Sequence, residues 1–148
     1  MRKIILSLLV IAAIASSCGS KPQEKNNKFV ISGELSSNEI DGFSVYLQTV
    51  GDTWNNRKGF VNIDSTTIVN GTFKFEGVAD SIPVLRFVTI VNPAESGKER
   101  RTMVVIEADT ITIADKGNDF FVSGTKLNEL VPQYKELEGK MMTMPDSE

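Results

Sequence analysis

Between residues 29 and 123, apolar and polar residues alternate with a period of two, which is typical of strands that bury one face. The clearest example is Phe43, Val45 and Leu47, which alternate with Ser44, Tyr46 and Gln48. The pattern predicts about eight short strands, at residues 29–35, 43–48, 59–69, 72–77, 84–91, 102–107, 110–114 and 120–123. This spacing predicts an all-β domain, either an antiparallel β-sandwich or a partly open barrel.

Two connections between these strands have distinct signals. Asn70-Gly71 separates two alternating segments, and it predicts a type I′ hairpin because both central residues of that turn need positive φ. Residues 92–101 combine proline, glycine and charged side chains, and we expect an exposed loop there.

Beyond residue 124 the period becomes helical, and a C-terminal helix is predicted over residues 125–142, followed by a disordered tail at 143–148. Ser123 or Thr125 is predicted to cap its first turn. Pro132 would kink or break this helix unless it lies in the first turn. We expect its apolar stripe to pack on the open face or end of the sheet; the stripe is Leu127, Leu130, Val131, Tyr134, Leu137 and Met141.

The start of the chain has the order of an export signal. Arg2 and Lys3 precede the apolar residues 4–14, and small residues surround Cys18. The apolar run is shorter than the ~20 residues that span a bilayer as a helix. We therefore predict a signal peptide at 1–17, a polar tether at 18–28 and a sandwich domain at 29–124.

The residues around Cys18 resemble the lipobox of bacterial lipoproteins, in which small residues precede the cysteine. The resemblance implies lipidation of the Cys18 thiol and cleavage before it, so that the lipid anchors the chain to a membrane. Ala15 departs from the leucine that is commoner there. The alternative is an ordinary signal peptide cut near Ser17, leaving a free thiol. No acidic run follows Cys18, which favours the periplasmic face of the outer membrane over the cell surface.

Composition limits the chemistry that this chain can perform. It has no histidine and one cysteine, which excludes Ser-His-Asp catalysis, Cys-His catalysis and a Cys-x-x-Cys redox pair. Removal of Arg2 and Lys3 with the signal leaves 14 basic and 19 acidic residues, a net charge of −5. An acidic balance disfavours nucleic acid as a partner. We expect no cofactor, no metal and no enzymatic activity.

Four places in the sequence are candidate sites. Asp64-Ser65-Thr66 places a carboxylate beside hydroxyls, but with no histidine we expect these residues to satisfy backbone groups where a strand bends. The carboxylates of Glu107, Asp109, Asp115 and Asp119 lack the loop spacing of a calcium site, and we expect them to be solvated. Trp54, in a polar loop, is either a recognition anchor or a lid on the core. Arg100 and Arg101 are candidate contacts for an anionic partner.

Five segments in order resemble the domain of unknown function 4369 family. They are residues 30–34, 45–48, 63–66 followed by 69–77, 107–113 and 122–128. The resemblance implies a β-sandwich followed by a helix, and it implies no catalytic residues. In this family the domain often precedes a thioredoxin-like oxidoreductase domain, whose Cys-x-x-Cys is missing here.

Three functional interpretations follow. The first is a lipid-anchored, non-catalytic binding or scaffold module for an envelope protein or glycan, with Trp54, Arg100 and Arg101 as contacts. The second is an accessory module to a thioredoxin-like thiol-disulfide oxidoreductase on another chain, or a truncated relative of one. The third is a carrier that holds an apolar ligand between sheet and helix.

Overall fold

The computed structural model describes residues 27–53, 57–95, 97–116 and 119–143, and within them the chain forms eight strands and one α-helix. Short 3-10 turns lie at Asn38–Ile40 and Asn128–Leu130. The longer elements are β1 Lys28–Glu34, β2 Ser44–Asp52, β3 Lys58–Thr67, β4 Thr72–Val78, β5 Val84–Val91, β6 Glu99–Ile106, β7 Thr110–Lys116, β8 Asp119–Ser123 and α1 Val131–Thr143.

The eight strands form two four-stranded sheets that pack face to face, so the predicted sandwich is confirmed. The first sheet has the order β4-β1-β7-β8, and the second has the order β3-β2-β5-β6. The first sheet is mixed rather than antiparallel, because β1 pairs in parallel with β7, with Val30 opposite Thr110. A parallel pair needs a long crossover, and the strands β2 to β6 supply it.

Alternate residues from both sheets meet in one apolar core, as the period of two predicts. Phe73 and Phe75 of β4 both point into it, with ring centroids 6.0 Å apart. The ring of Phe73 lies directly over Gly33, in space that a side chain at Gly33 would occupy. The largest fully buried aliphatic side chains are Ile31, Val45, Ile68, Val88, Val104, Ile111, Ile113 and Val122.

The Asn70-Gly71 turn is confirmed, with φ values of 52° and 70° at its two central residues. The carboxylate of Asp41 accepts hydrogen bonds from both backbone N–H groups of this turn, at 3.0 Å from Asn70 and 2.8 Å from Gly71. The connection between β1 and β2 thus holds the β3–β4 hairpin, which joins the two sheets at one edge of the sandwich.

The expected structural role of Asp64 is also confirmed. The register between β2 and β3 shifts here, because Leu47 pairs with Asp64 and the next residue, Gln48, pairs with Asn62. At this bulge the Ser65 N–H donates to the Asp64 carboxylate at 2.7 Å. The side chain therefore satisfies a backbone group where the strand is irregular.

The loop predicted at residues 92–101 is too long, because β6 begins at Glu99 and pairs it with Val91. Charged side chains at Glu99, Arg100 and Arg101 concealed the start of this strand. A strand at the edge of a sheet accepts such residues, because one of its sides has no neighbouring strand.

The C-terminal helix lies along the edge of the sandwich between β6 and β8. Pro132 occupies the first turn of α1, where its missing N–H costs no hydrogen bond. Thr125 bonds to the 3-10 turn that precedes α1 rather than to α1 itself. Its hydroxyl accepts the Asn128 N–H at 3.3 Å, at the start of that turn. Further along, the ammonium of Lys135 donates to the Thr102 hydroxyl of β6 at 3.3 Å.

Gly124 connects β8 to the helix in a conformation that only glycine adopts readily. Its φ is +102°, and an added Cβ would lie 2.3 Å from the Thr110 carbonyl oxygen. We expect Gly124→Ala to lower the free energy of unfolding by about 2–3 kcal/mol, because backbone strain and a backbone clash combine. Denaturant unfolding measures this value.

The control is the same substitution at Gly139, in α1, where an added Cβ meets no atom within 4 Å. Gly139→Ala should leave stability unchanged or raise it by up to about 1 kcal/mol. Equal effects at the two positions would contradict the assignment of strain to Gly124.

Candidate functional site: an apolar groove beside the capped edge of β6

The side chain of Asn128 completes the outer edge of β6. Its Oδ1 accepts the Val105 N–H at 2.8 Å, and its Nδ2 donates to the Val105 carbonyl at 2.7 Å. A second N–H of the same amide donates to the Thr125 hydroxyl at 2.8 Å. Asn128 is completely buried. The Asn128 side chain therefore makes the two hydrogen bonds with Val105 that a neighbouring strand would make. These bonds also fix the position at which the helix begins.

The Thr125 hydroxyl continues this chain of hydrogen bonds by donating to the Glu107 carboxylate, just beyond β6. Its oxygen is thus bonded to both Asn128 and Glu107. Buried polar side chains stabilise a fold when every member of the set has a partner. The start of the helix is accordingly held by polar contacts on one side and by the buried Val131 on the other.

An apolar groove opens between the start of the helix and the outer face of the second sheet. It has a volume of about 230 Å³ and is open to solvent. β5 and β6 form one wall, while the 3-10 turn and α1 form the other. The lining residues are Leu85, Met103, Val105, Leu127, Leu130, Val131 and Tyr134.

The apolar stripe of the helix does not pack as predicted. Val131 is buried, but Leu130, Tyr134 and Leu137 remain 46%, 56% and 59% exposed. The side chain of Met141 lies outside the described residues. The helix sits on the narrow edge of the sandwich rather than on a sheet face, so the edge covers only part of the stripe. Half-exposed apolar side chains in one row are typical of a binding surface.

Arg101 lies on the outer face of the second sheet, next to the groove, and ties the strands of that face together. Its Nε donates to the Thr89 hydroxyl at 2.9 Å, and its guanidinium carbon lies 3.7 Å from the centroid of the Phe60 ring. The Thr89 hydroxyl donates to Gln48 at 2.6 Å, and Gln48 donates to Asn62 at 2.7 Å. All four strands are linked by this set.

Arg100 points in the opposite direction, because neighbouring residues of a strand face opposite sides. Its guanidinium bonds the Asp115 carboxylate of the first sheet at 2.9 Å and lies 4.2 Å from the centroid of the Phe120 ring. Arg100 and Arg101 therefore do not form one contact surface. A role for either in partner binding stays a prediction, while the structure gives each a role in the fold.

The other two candidate residues, Cys18 and Trp54, lie outside the described residues. On the two sides of Trp54, the Thr53 N–H donates to the Arg57 carbonyl at 2.9 Å within the β2–β3 connection. Lipidation of Cys18 and recognition by Trp54 both stay predictions.

The carboxylates considered as calcium ligands have separate partners. Glu107 accepts from Thr125, Asp109 accepts the Thr110 N–H at 2.7 Å, and Asp115 pairs with Arg100. Asp119 is exposed at the start of β8. Within the described ranges, no three side chains of the types that bind metals come together, and no helix there is long and apolar enough to cross a bilayer.

One carboxylate outside the groove has a shifted pKa. On β4, the hydrogen bond from Lys74 and its positive charge hold the pKa of Glu76 below its ordinary value. Both side chains are well exposed, so this pair belongs to the solvated surface of the first sheet.

The sequence alone does not predict the role of Asn128. An asparagine near a helix start is usually assigned to capping, and the pattern gives no sign that its amide would pair with a strand. One feature of the sequence does point to a buried amide. Asn128 is a short polar residue that lies between the apolar residues Leu127 and Leu130.

The chain is thus a two-sheet β-sandwich module whose open edge carries a helix and an apolar groove. The family model described as "Domain of unknown function (DUF4369)" matches residues 25–131, which is well over half of the chain. The protein belongs to this family, and the resemblance seen in the five sequence segments is confirmed. No curated protein matches the chain.

Asn128→Ala should lower the free energy of unfolding by about 2–4 kcal/mol, because it leaves a backbone N–H and a carbonyl of β6 without partners in a partly buried place. The exposed neighbour Glu129 provides the control, and Glu129→Ala should change stability by less than about 0.5 kcal/mol. Denaturant unfolding compares the two variants. Similar small losses in both would show that Asn128 does not hold the edge.

Proposed function

We propose that this protein is a lipid-anchored lipoprotein of the bacterial cell envelope, and that its sandwich is a non-catalytic binding module. The apolar groove is its contact surface for a partner protein. The observation that carries the binding role is the row of half-exposed apolar side chains beside the groove, formed by Leu130, Tyr134 and Leu137.

The dimensions of the groove favour side chains of a protein over a small ligand. Pockets for small molecules usually have volumes of about 300–1,000 Å³ and enclose most of the ligand. This groove is smaller, at about 230 Å³, and it is open. Its lining is apolar, which suits aliphatic or aromatic side chains better than the hydroxyl groups of a glycan. This groove by itself is therefore a poor fit for an acyl chain.

Burial of this row would contribute part of the free energy of an association, and the rest of the interface would have to supply the remainder. Complete burial of a leucine or a similar side chain contributes about 1.5–3 kcal/mol. Since Leu130, Tyr134 and Leu137 are each about half exposed, covering them would add about 2–4 kcal/mol in total. Tyrosine is also enriched among the residues that dominate binding energies.

The sequence supports the membrane location. The basic start, the apolar residues 4–14 and the small residues around Cys18 have the order of a lipoprotein signal. A single acyl chain binds a membrane only marginally, whereas several chains on Cys18 would anchor the protein stably. We place the protein on the periplasmic side of the outer membrane.

The non-catalytic role is supported by the partners of the polar side chains. Asp64, Glu107 and Arg100 belong to the candidate sites of the sequence, and each makes a hydrogen bond or ion pair that maintains the fold. None of these contacts converges on the groove lining, which is apolar.

Cys18→Ala should move the protein from the membrane fraction to the soluble fraction. The wild-type protein should begin at Cys18 and carry the added mass of acyl chains in intact-mass spectrometry. Ser20→Ala provides the matched control, since it changes a small tether residue and should leave both results unchanged. Wild-type protein cut near Ser17, with an unmodified thiol, would contradict the anchor.

A photo-crosslinking amino acid at Tyr134 should capture a defined envelope protein in cells, because this position lies at the groove. The same amino acid at Val69, which is exposed at a hairpin turn away from the groove, should not capture that protein. Leu130→Glu should abolish the product at position 134 by placing a charge in the apolar row.

Identical products at positions 134 and 69 would contradict the groove as the binding surface. The identity of a captured protein also separates two interpretations. A thioredoxin-like chain would favour the accessory role, and any other envelope protein would favour the scaffold role.

A further inference from the structure

We propose that one end of the sandwich, the tether end, lies against the lipid bilayer and inserts apolar side chains into its surface. The tether end is the end at which the described chain begins, and its exposed apolar residues are Val78 and Ile82, whereas Leu85 and Leu127 belong to the groove. This inference rests on the proposed lipid anchor at Cys18, and it adds an orientation that the anchor alone does not give.

The chain enters the sandwich beside Val78. The Asn27 carbonyl accepts the Ala79 N–H at 2.6 Å, and Lys28, the first residue of β1, pairs with Val78, the last residue of β4. The connection from β4 to β5 follows at once and contains Ile82. Val78 and Ile82 therefore lie at the same end of the sandwich as the start of the chain described.

Strands of the second sheet also reach the tether end. Val78 lines a small cleft together with Val84 and Ile106, so the ends of β4, β5 and β6 meet there. Leu85 follows Val84 and pairs with Val105 on β6. Leu85 and Leu127 then share the apolar groove. Asp80 and Arg86 also line the small cleft, so the exposed apolar side chains of the tether end are those of Val78 and Ile82.

Large apolar side chains are more exposed at the tether end of the sandwich than at the opposite end. Val78 and Ile82 are 73% and 74% exposed, the highest values among the large apolar side chains described. At the opposite end, where the β3–β4 turn and the β5–β6 loop lie, Val69 is less exposed, at 60%. Contiguous apolar side chains at a protein surface indicate a membrane or protein contact.

The length of the tether favours lipid as the occupant. Nine peptide units join Cys18 to Asn27. They span at most about 30 Å, so an acylated Cys18 keeps the tether end near the bilayer. The chain is acidic overall, so apolar insertion rather than attraction to anionic lipid would hold this end. We therefore commit to a zwitterionic bilayer surface as the occupant.

The test uses the full-length lipoprotein, purified from membranes and reconstituted in vesicles of phosphatidylethanolamine and phosphatidylcholine that contain brominated lipid. Acylation blocks Cys18, so a single new cysteine carries a fluorescent label. The two matched variants are Ile82→Cys at the tether end and Val69→Cys at the opposite end. Intact-mass spectrometry verifies acylation, and circular dichroism verifies that both variants fold.

We expect the label at position 82 to be quenched by brominated lipid at least about threefold more than the label at 69, since interfacial residues lie ~5–10 Å into the headgroup and acyl boundary. Adding Val78→Glu should reduce the quenching at 82, whereas adding Val69→Glu to the variant labelled at 82 should not. Raising the salt concentration should leave the quenching unchanged.

Equal, weak quenching at both positions in acylated protein would overturn the inference and leave the proposed function intact. Fluorescence self-quenching between labels at position 82 of two copies, without quenching by lipid, would overturn it in favour of a second copy of this chain. An unmodified Cys18 would overturn the proposed anchor, and the inference would fall with it.

Discussion

The pairing of the Asn128 side chain with the backbone of Val105 determines how the edge of this sandwich is built. Among the strands that the structure describes, none lies on the outer side of β6, and unpaired N–H and carbonyl groups of such an edge invite association with other chains. A side-chain amide carries the same donor and acceptor as a peptide group, so Asn128 can replace a strand at one position. Its bonds with Thr125, and the bond of Thr125 with Glu107, leave no member of the set unpartnered.

This placement explains both the groove and the exposed row beside it. Because the helix begins at the β6 edge, it lies on a narrow surface that buries Val131 and leaves Leu130 and Tyr134 half exposed. One wall of the groove is then the helix, and the other is the outer face of β5 and β6. That face is kept in register by Arg101, which joins Thr89 to Phe60, while Arg100 joins the two sheets through Asp115. The contact surface is therefore a consequence of how the edge is closed.

The sequence predicts the parts of this fold that depend on local pattern. Alternation located all eight strands, and Asn70-Gly71 located the hairpin, because these signals come from neighbouring residues. The parallel pairing of β1 with β7 depends on residues far apart in the chain and has no local signal. The adjacency of Arg100 and Arg101 in sequence suggests one shared contact site, yet a strand places adjacent residues on opposite faces. The role of Asn128 depends on a tertiary contact with β6, and the helical spacing alone suggested that the whole stripe would be buried.

Native-state hydrogen exchange at the Val105 amide tests the central claim most directly. The Val104 amide provides the reference, since the adjacent residue faces the other way and bonds within the β5–β6 pair. If Asn128 seals the edge, the two amides should exchange within about tenfold of one another, because both open only when a cooperative unit unfolds. Exchange of Val105 at the rate of an unprotected amide, with Val104 still protected, would contradict the claim that Asn128 closes β6 and positions the helix.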